Sequence, residues 1–315
     1  MASIRRWAIG VGTAVIVTSA VVAGSGAAQG LPGLPGLPNG SLGAATVPKA
    51  ELDKSFRALT KSMAKSLPGR VGIAITPVNG DTPVSFGSLK TARAWSTLKV
   101  PVSIAAQRKH GRTVLAKETK AIELSDNESA EALWGLLGGG QASVDAVTSV
   151  LREGHDVHTR VSSELDHPAS YPGATPWALT DQSVFAAHLP CMPDTEEVLK
   201  HMSRVAANQR WGVAEPKSKK VTGAVKGGWG PATGTGGGQV VRQLGVITTE
   251  RGQYGVSIAA LPKSGSLTDG TKMVTRVGQW LLRNLGKFPG GTCPVLPVAD
   301  EAPPTAPEPP VDAAQ

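Results

Sequence analysis

Strand signals stand at both ends of this chain and helical periodicity fills the middle, a distribution that few folds satisfy. RVGIAITPV (70–78) and TPVSFGSL (82–89) read as two strands joined by Asn79-Gly80-Asp81, which has hairpin-turn chemistry. KKVTGAVKGGWG, QVVRQLGVITT and QYGVSIAALP read as three more strands between residues 219 and 262. Leu52, Phe56, Leu59, Met63 and Leu67 predict an amphipathic helix over 49–67, and Met273, Val277, Trp280, Leu281 and Leu285 predict another over 268–285. Helices are also expected from Ser96 to Lys109, over 128–138 and 143–152, in TDQSVFAAHL and in DTEEVLKHMSRVAANQ. This order predicts an α/β (α+β) domain: one five-stranded antiparallel sheet, built from both ends of the chain, with helices on both faces.

The ends read differently. Residues 1–28 resemble an export signal, with Arg5 and Arg6 ahead of a small, apolar stretch and small residues at Ser25, Ala27 and Ala28 for cleavage. A membrane anchor over 8–28 is the alternative. GLPGLPGLPNG (30–40) reads as a stiff extended spacer, and residues 293–315 as a Pro-rich, acidic, disordered tail. That leaves one domain over 48–292, exported and either secreted or held at the cell envelope. The signal takes two of the 32 basic residues and the tail four of the 24 acidic ones, leaving +10 on the core. An anionic cell-wall polymer is a fitting partner for that charge. No basic stripe interleaved with aromatics is present, so nucleic acid is not expected as a partner. Cys191 and Cys293, the two cysteines, would pair as a disulfide in an oxidising compartment.

Three short motifs carry the chemistry. Ser96-Thr97-Leu98-Lys99 puts a hydroxyl and an amine three residues apart at a predicted helix start, on one face. Ser62-Met63-Ala64-Lys65 has the same spacing but falls on the polar side of the first helix, beside Lys54 and Lys61. Ser125-Asp126-Asn127 precedes a helix, where it also describes an N-cap. Lys226-Gly227-Gly228 lies in a strand whose glycines permit close approach of a ligand or another backbone.

In the order S-x-x-K, S-D-N, K-x-G these motifs resemble the penicillin-recognising serine hydrolases, the class A β-lactamase and DD-peptidase superfamily, over residues 48–288. The flanks STLKVP, LREG and ATPWALTD agree with that resemblance. It implies a β-lactamase/transpeptidase-like fold, no cofactor, a monomer, and a small-molecule or peptidoglycan-derived substrate. It implies Ser96 as acylated nucleophile, Lys99 as its base, Ser125 as proton relay beside Lys226, and Asn127 as a partner of Lys99 and of the substrate amide. Asp126 would be structural. Gly227 and Gly228 would line the substrate, and the backbone N–H groups of Ser96 and Trp229 would form the oxyanion hole.

Three departures from the family pattern bear on substrate and turnover. Gly227 occupies the hydroxyl position of K-[ST]-G, so a donor for the substrate carboxylate is missing unless Thr233, Thr235 or Arg242 substitutes. The span from Ser96 to Ser125 is about half that of class A enzymes, which implies a more open cleft. The deacylating Glu has two registers in RVSSELDHPASYPGATP: either Glu164 is the base, or Glu164-Leu165-Asp166 matches the family's downstream Glu-Leu-Asn and Ser162 falls at the base position. In the second register an acyl-enzyme forms and turns over slowly. His155, His158 and His167 crowd this loop but lack ligand spacing, and no metal is expected.

Overall fold

The computed structural model describes residues 47–294 except 168–169, 215–219 and 234–235. The expected export signal, nearly all of the spacer and the tail beyond Pro294 lie outside the described residues. In chain order the elements are α1 (Lys49–Met63), β1 (Gly69–Pro77), β2 (Val84–Gly87), β3 (Thr91–Arg93), α2 (Lys99–His110), α3 (Leu115–Thr119), α4 (Asn127–Leu137), α5 (Gly140–Glu153), β4 (Pro176–Ala178), α6 (Leu179–His188), α7 (Glu196–Met202), β5 (Val221–Thr233), β6 (Gly236–Thr249), β7 (Gly252–Pro262) and α8 (Leu267–Asn284).

One five-stranded antiparallel sheet in the order β2-β1-β7-β6-β5 forms the centre. The ends of the chain meet in it: Ile73 of β1 pairs with Ile258 of β7, and Gly69 with Pro262. A second, two-stranded sheet joins β3 to β4, with Ala92 opposite Trp177; the sequence patterns did not anticipate it.

Side-chain alternation sends the sheet's apolar residues into two cores. On one face Ile73, Ile75, Val256 and Ile258 pack with Leu52 and Phe56 of α1 and Met273, Val277, Trp280 and Leu281 of α8. Trp280 is the hinge of that core, edge-on to Phe56 at 4.9 Å and to Phe86 at 5.1 Å between centroids. Burying such a side chain contributes about 1.5–3 kcal/mol. On the other face Leu244 and Val246 of β6 pack with the helical middle, including Leu98, Ile104, Leu133, Leu151 and Phe185. Helix α6 lies flat on β7 because Gly255 has no side chain: a β-carbon there would sit 2.2 Å from the Ala187 nitrogen. Among the described residues no helix is long and apolar enough to cross a membrane.

Three local departures shape the site. Ser96 lies not in the helix expected from it but in a tight 3₁₀ turn, Trp95–Leu98, with α2 beginning at Lys99. The helix expected through Gln209 ends at Met202, and a second 3₁₀ turn, Ala207–Gln209, is held by a hydrogen bond from the Ala206 N–H to the Glu123 carbonyl. Before Ser125 the chain forms α3 and a wide π turn, Lys120–Leu124, where only a helical flank was expected. Cys191 and Cys293 form a disulfide, which ties the last described residues to the segment after α6.

Candidate active site

Lys99 opens α2 directly after the turn that carries Ser96, and Ser125 follows the π turn and lies beside the Lys99 amine. Ser125 takes a left-handed backbone, φ 59°, to make that reversal. Asp126 then caps α4, its carboxylate accepting from the Ser129 N–H at 2.7 Å. The structural reading of Asp126 and the functional reading of its neighbours therefore coexist in one tripeptide.

Lys99 is 8 % exposed, and its ammonium donates to the Ser125 carbonyl at 2.7 Å, to Asn127 Oδ1 at 2.8 Å and to the Asp126 carbonyl at 3.2 Å. Ser125 Oγ lies 3.5 Å from the same nitrogen. From the opposite side Lys226 of β5, fully buried, donates to Ser125 Oγ at 2.9 Å, to Gln209 Oε1 at 2.9 Å and to the Gly227 carbonyl at 3.0 Å. One hydroxyl thus stands between two amines. Burial lowers the Lys99 pKa to about 8, although the charges of Asp126 and Glu131 oppose the shift. Burial, and then the charge of Lys99, holds Lys226 well below the usual lysine range.

Strand β5 is the edge of the sheet and runs against the Ser96 turn. A β-carbon on Gly228 would lie 3.1 Å from the backbone nitrogens of Ser96 and Thr97 and 2.9 Å from the Ala94 carbonyl, so only glycine lets strand and turn approach this closely. The turn is braced from behind: Thr97 Oγ1 accepts from Gln182 Nε2 at 3.0 Å, and Gln182 Oε1 accepts from Arg242 at 2.7 Å and from Ser257 at 2.6 Å. Ser96 itself is half-buried, and Trp229 of the same edge strand is likewise part-exposed.

Trp211 closes off the position where the family carries a hydroxyl. Its Cζ2 lies 2.7 Å from where a Gly227 β-carbon would start, so serine or threonine has no room there while the indole stays. Arg242 cannot replace that donor. It is fully buried, with Nη1 on the Ala92, Arg93 and Trp177 carbonyls and Nη2 on Gln182. Thr233 is exposed, and Thr235 lies outside the described residues.

In the 160–166 loop the Glu164 carboxylate accepts from the Gly140 N–H at 2.8 Å, at the start of α5. Asp166 is used within the loop, accepting from the Ser163 N–H at 3.2 Å and from Arg160 at 3.3 Å, while the Ser162 N–H goes to Thr175 Oγ1 at 2.9 Å. The three imidazoles of the stretch separate. His155 bonds Asp81, His158 lies 3.2 Å from Asp181, and His167 is exposed. The second S-x-x-K pair stays apart from all of this: Ser62 is exposed on α1, and Lys65 is exposed beyond the helix end.

Gln209, Trp211 and Gln182 were not identified from the sequence. Each acts through a contact with a residue far along the chain, and none sits in a motif.

Glu118, beneath the π turn, is fully buried with neither carboxylate oxygen hydrogen-bonded among the described residues, and His201 Nε2 is 3.8 Å away. Burial, reinforced by the charge of Glu197, raises its pKa to about 7 from 4.5. The folded chain therefore keeps a proton that the unfolded chain releases, and stability falls as pH rises from 4.5 through 7. Glu118→Gln is expected to raise stability at pH 8 by on the order of 3 kcal/mol and to change little at pH 4.5, read from urea unfolding at the two pH values. An equal effect at both would contradict this.

No family model and no curated protein sequence matches the chain. Solved structures do. A class A β-lactamase from Bacteroides cellulosilyticus aligns over 74% of this chain and 98% of its own length, with TM-score 0.59 and 12% identity. PBP-A aligns over 76% and 97%, with TM-score 0.57 and 17% identity. A class A β-lactamase from Mycobacterium abscessus aligns over 75% and 99%, with TM-score 0.56 and 17% identity. At these identities the likeness is one of fold: this chain has the fold of the penicillin-recognising serine hydrolases, as its motif order led one to expect.

Proposed function

We propose that a chain of this fold is an exported serine hydrolase, in which Ser96 forms an acyl-enzyme with a β-lactam, a D-alanyl peptide or a related amide or ester. The convergence of Lys99 and Lys226 on Ser125 Oγ, at 3.5 and 2.9 Å, carries that reading. Lys99, with its pKa near 8, takes the Ser96 proton as Oγ attacks the acyl carbon. The negative charge that develops on the carbonyl oxygen is met by the N–H groups of Ser96 and Trp229. Ser125 hands a proton to the leaving nitrogen, and Lys226, on its far side, replenishes it or holds the charge that remains. Asn127 keeps the Lys99 amine aimed.

Deacylation is slow in this scheme. Glu164, the carboxylate in the family's loop, is engaged with the N-terminus of α5, and Asp166 with its own loop. Slow nitrocefin turnover is expected; rapid turnover abolished by Glu164→Gln would assign Glu164 as the base after all. The loss of a hydroxyl at Gly227, enforced by Trp211, favours a second reading: a non-catalytic relative that binds a cell-envelope component in the same groove.

Intact-protein mass spectrometry after incubation with a labelled penicillin separates the two. A stoichiometric adduct supports the hydrolase. No adduct with any β-lactam, activated ester or fluorophosphonate overturns it in favour of binding. The acylation rate has a signature as well. Because the amine must be neutral to act as base, the rate is expected to rise about tenfold per pH unit up to about pH 8 and to level off above it. A rate constant across pH 6 to 9 would exclude Lys99 as base.

A further inference from the structure

The β1–β2 turn, the segment after α5 and the end of α6 bring Asp81, His155 and His188 together, far from one another in sequence and outside the groove described above. His155 Nδ1 lies 2.7 Å and His188 Nε2 2.8 Å from the same oxygen, Asp81 Oδ1. The two imidazoles stack with centroids 3.7 Å apart and planes 22° apart. One donor atom from each residue falls within 4.8 Å of the others. Asp81 and His155 are exposed, while His188 is buried behind them, so the cluster is open to solvent on one side.

The surroundings favour a cation. His188 is the last residue of α6, and His155 follows α5 by two residues, so the negative ends of two helix dipoles converge on the carboxylate. The support is rigid. The Asn79 N–H donates to the Ala187 carbonyl at 3.1 Å, which ties the turn that carries Asp81 to the helix that carries His188.

From this geometry we infer that Asp81, His155 and His188 form a site for a divalent zinc ion, held by two imidazole nitrogens and one carboxylate oxygen, with a fourth position open to water. That donor set is the one zinc takes in open, tetrahedral sites. Tetrahedral ligands at about 2.0–2.1 Å from zinc stand roughly 3.3 Å apart. The nitrogens must therefore retreat from Asp81 Oδ1 by about half an ångström, and the stacked rings must splay so that both lone pairs point inward. Exposed His155 and Asp81 can make that movement while buried His188 stays. Zinc replaces the protons now shared between imidazole and carboxylate, and these leave to solvent. The bound ion clips three chain segments together and stabilises the folded form in proportion to its occupancy.

Isothermal titration of the full chain with zinc chloride tests the site, with thermal melting as a second readout. One zinc per chain and a melting temperature that rises with zinc are expected. His155→Ala and Asp81→Ala should each weaken binding at least about tenfold, no less than the loss of a mere outer partner costs, and should abolish the thermal shift. His158→Ala, which removes the neighbouring imidazole–carboxylate pair, should leave both readouts unchanged. Both test positions are exposed, and circular dichroism of each variant checks that it folds. Absence of saturable binding to the wild type, or undiminished binding to folded His155→Ala, overturns the proposal.

Discussion

Ser96→Ala should erase the mass adduct with labelled penicillin and reduce any hydrolytic turnover by a factor on the order of 10⁶, the scale at which loss of a nucleophile is felt. The reason lies in what surrounds the hydroxyl. The turn that bears Ser96 is pressed against Gly228 and braced through Thr97 and Gln182 to Arg242. Removing one oxygen from it leaves that bracing intact, so the variant should fold and melt like the wild type. A folded variant that still acquires a stoichiometric adduct would place the acylated residue elsewhere. Ser125 would be the first to examine, since two lysines already contact its oxygen. Peptide mapping of the adduct distinguishes the two serines directly.

The second large effect concerns stability. Cys191 and Cys293 are joined across 102 residues, and cross-linking a loop of that length restricts the unfolded chain by about 4.7 kcal/mol in the chain-entropy treatment. The bond also joins the segment just after α6 to the one after α8, so it spans the helices on both sheet faces. Replacing both cysteines with serine should therefore lower unfolding free energy by roughly 4–5 kcal/mol and the melting temperature by roughly 10 °C or more. Urea unfolding of the double variant, compared with the oxidised wild type, measures this. A difference below about 1 kcal/mol would mean that the unfolded ensemble already holds the two ends close.

How much of this could be read beforehand depended on the range over which each feature acts. The five strands were legible because alternation and turn chemistry are local: Asn79-Gly80-Asp81 marks a turn whatever surrounds it. That Ser62 and Lys65 lie on a solvated face was also legible, from Lys54 and Lys61 around them. The motif Ser125-Asp126-Asn127 could be named, yet its left-handed first residue and the π turn ahead of it could not, because they follow from how α3 packs rather than from its own propensities. Gly227 was visible as a missing hydroxyl, whereas the indole that excludes one comes from Trp211, sixteen residues earlier in the chain and beyond any motif. Gln209 is similar. The helix expected to run through it stops at Met202, and its side chain reaches Lys226 only because of that break. His155 was noticed for its neighbours in sequence, His158 and His167, when its partners in space are Asp81 and His188.

The pairing of β1 with β7 has a consequence in time. Residues 69–77 pair early with β2, but cannot find their β7 partners until residues 254–262 exist and are free to move. Contacts of such sequence separation slow the search for the native state. The chain therefore has an interval, set by its own topology, in which nearly all of it has been made and the two ends of the central sheet cannot yet join.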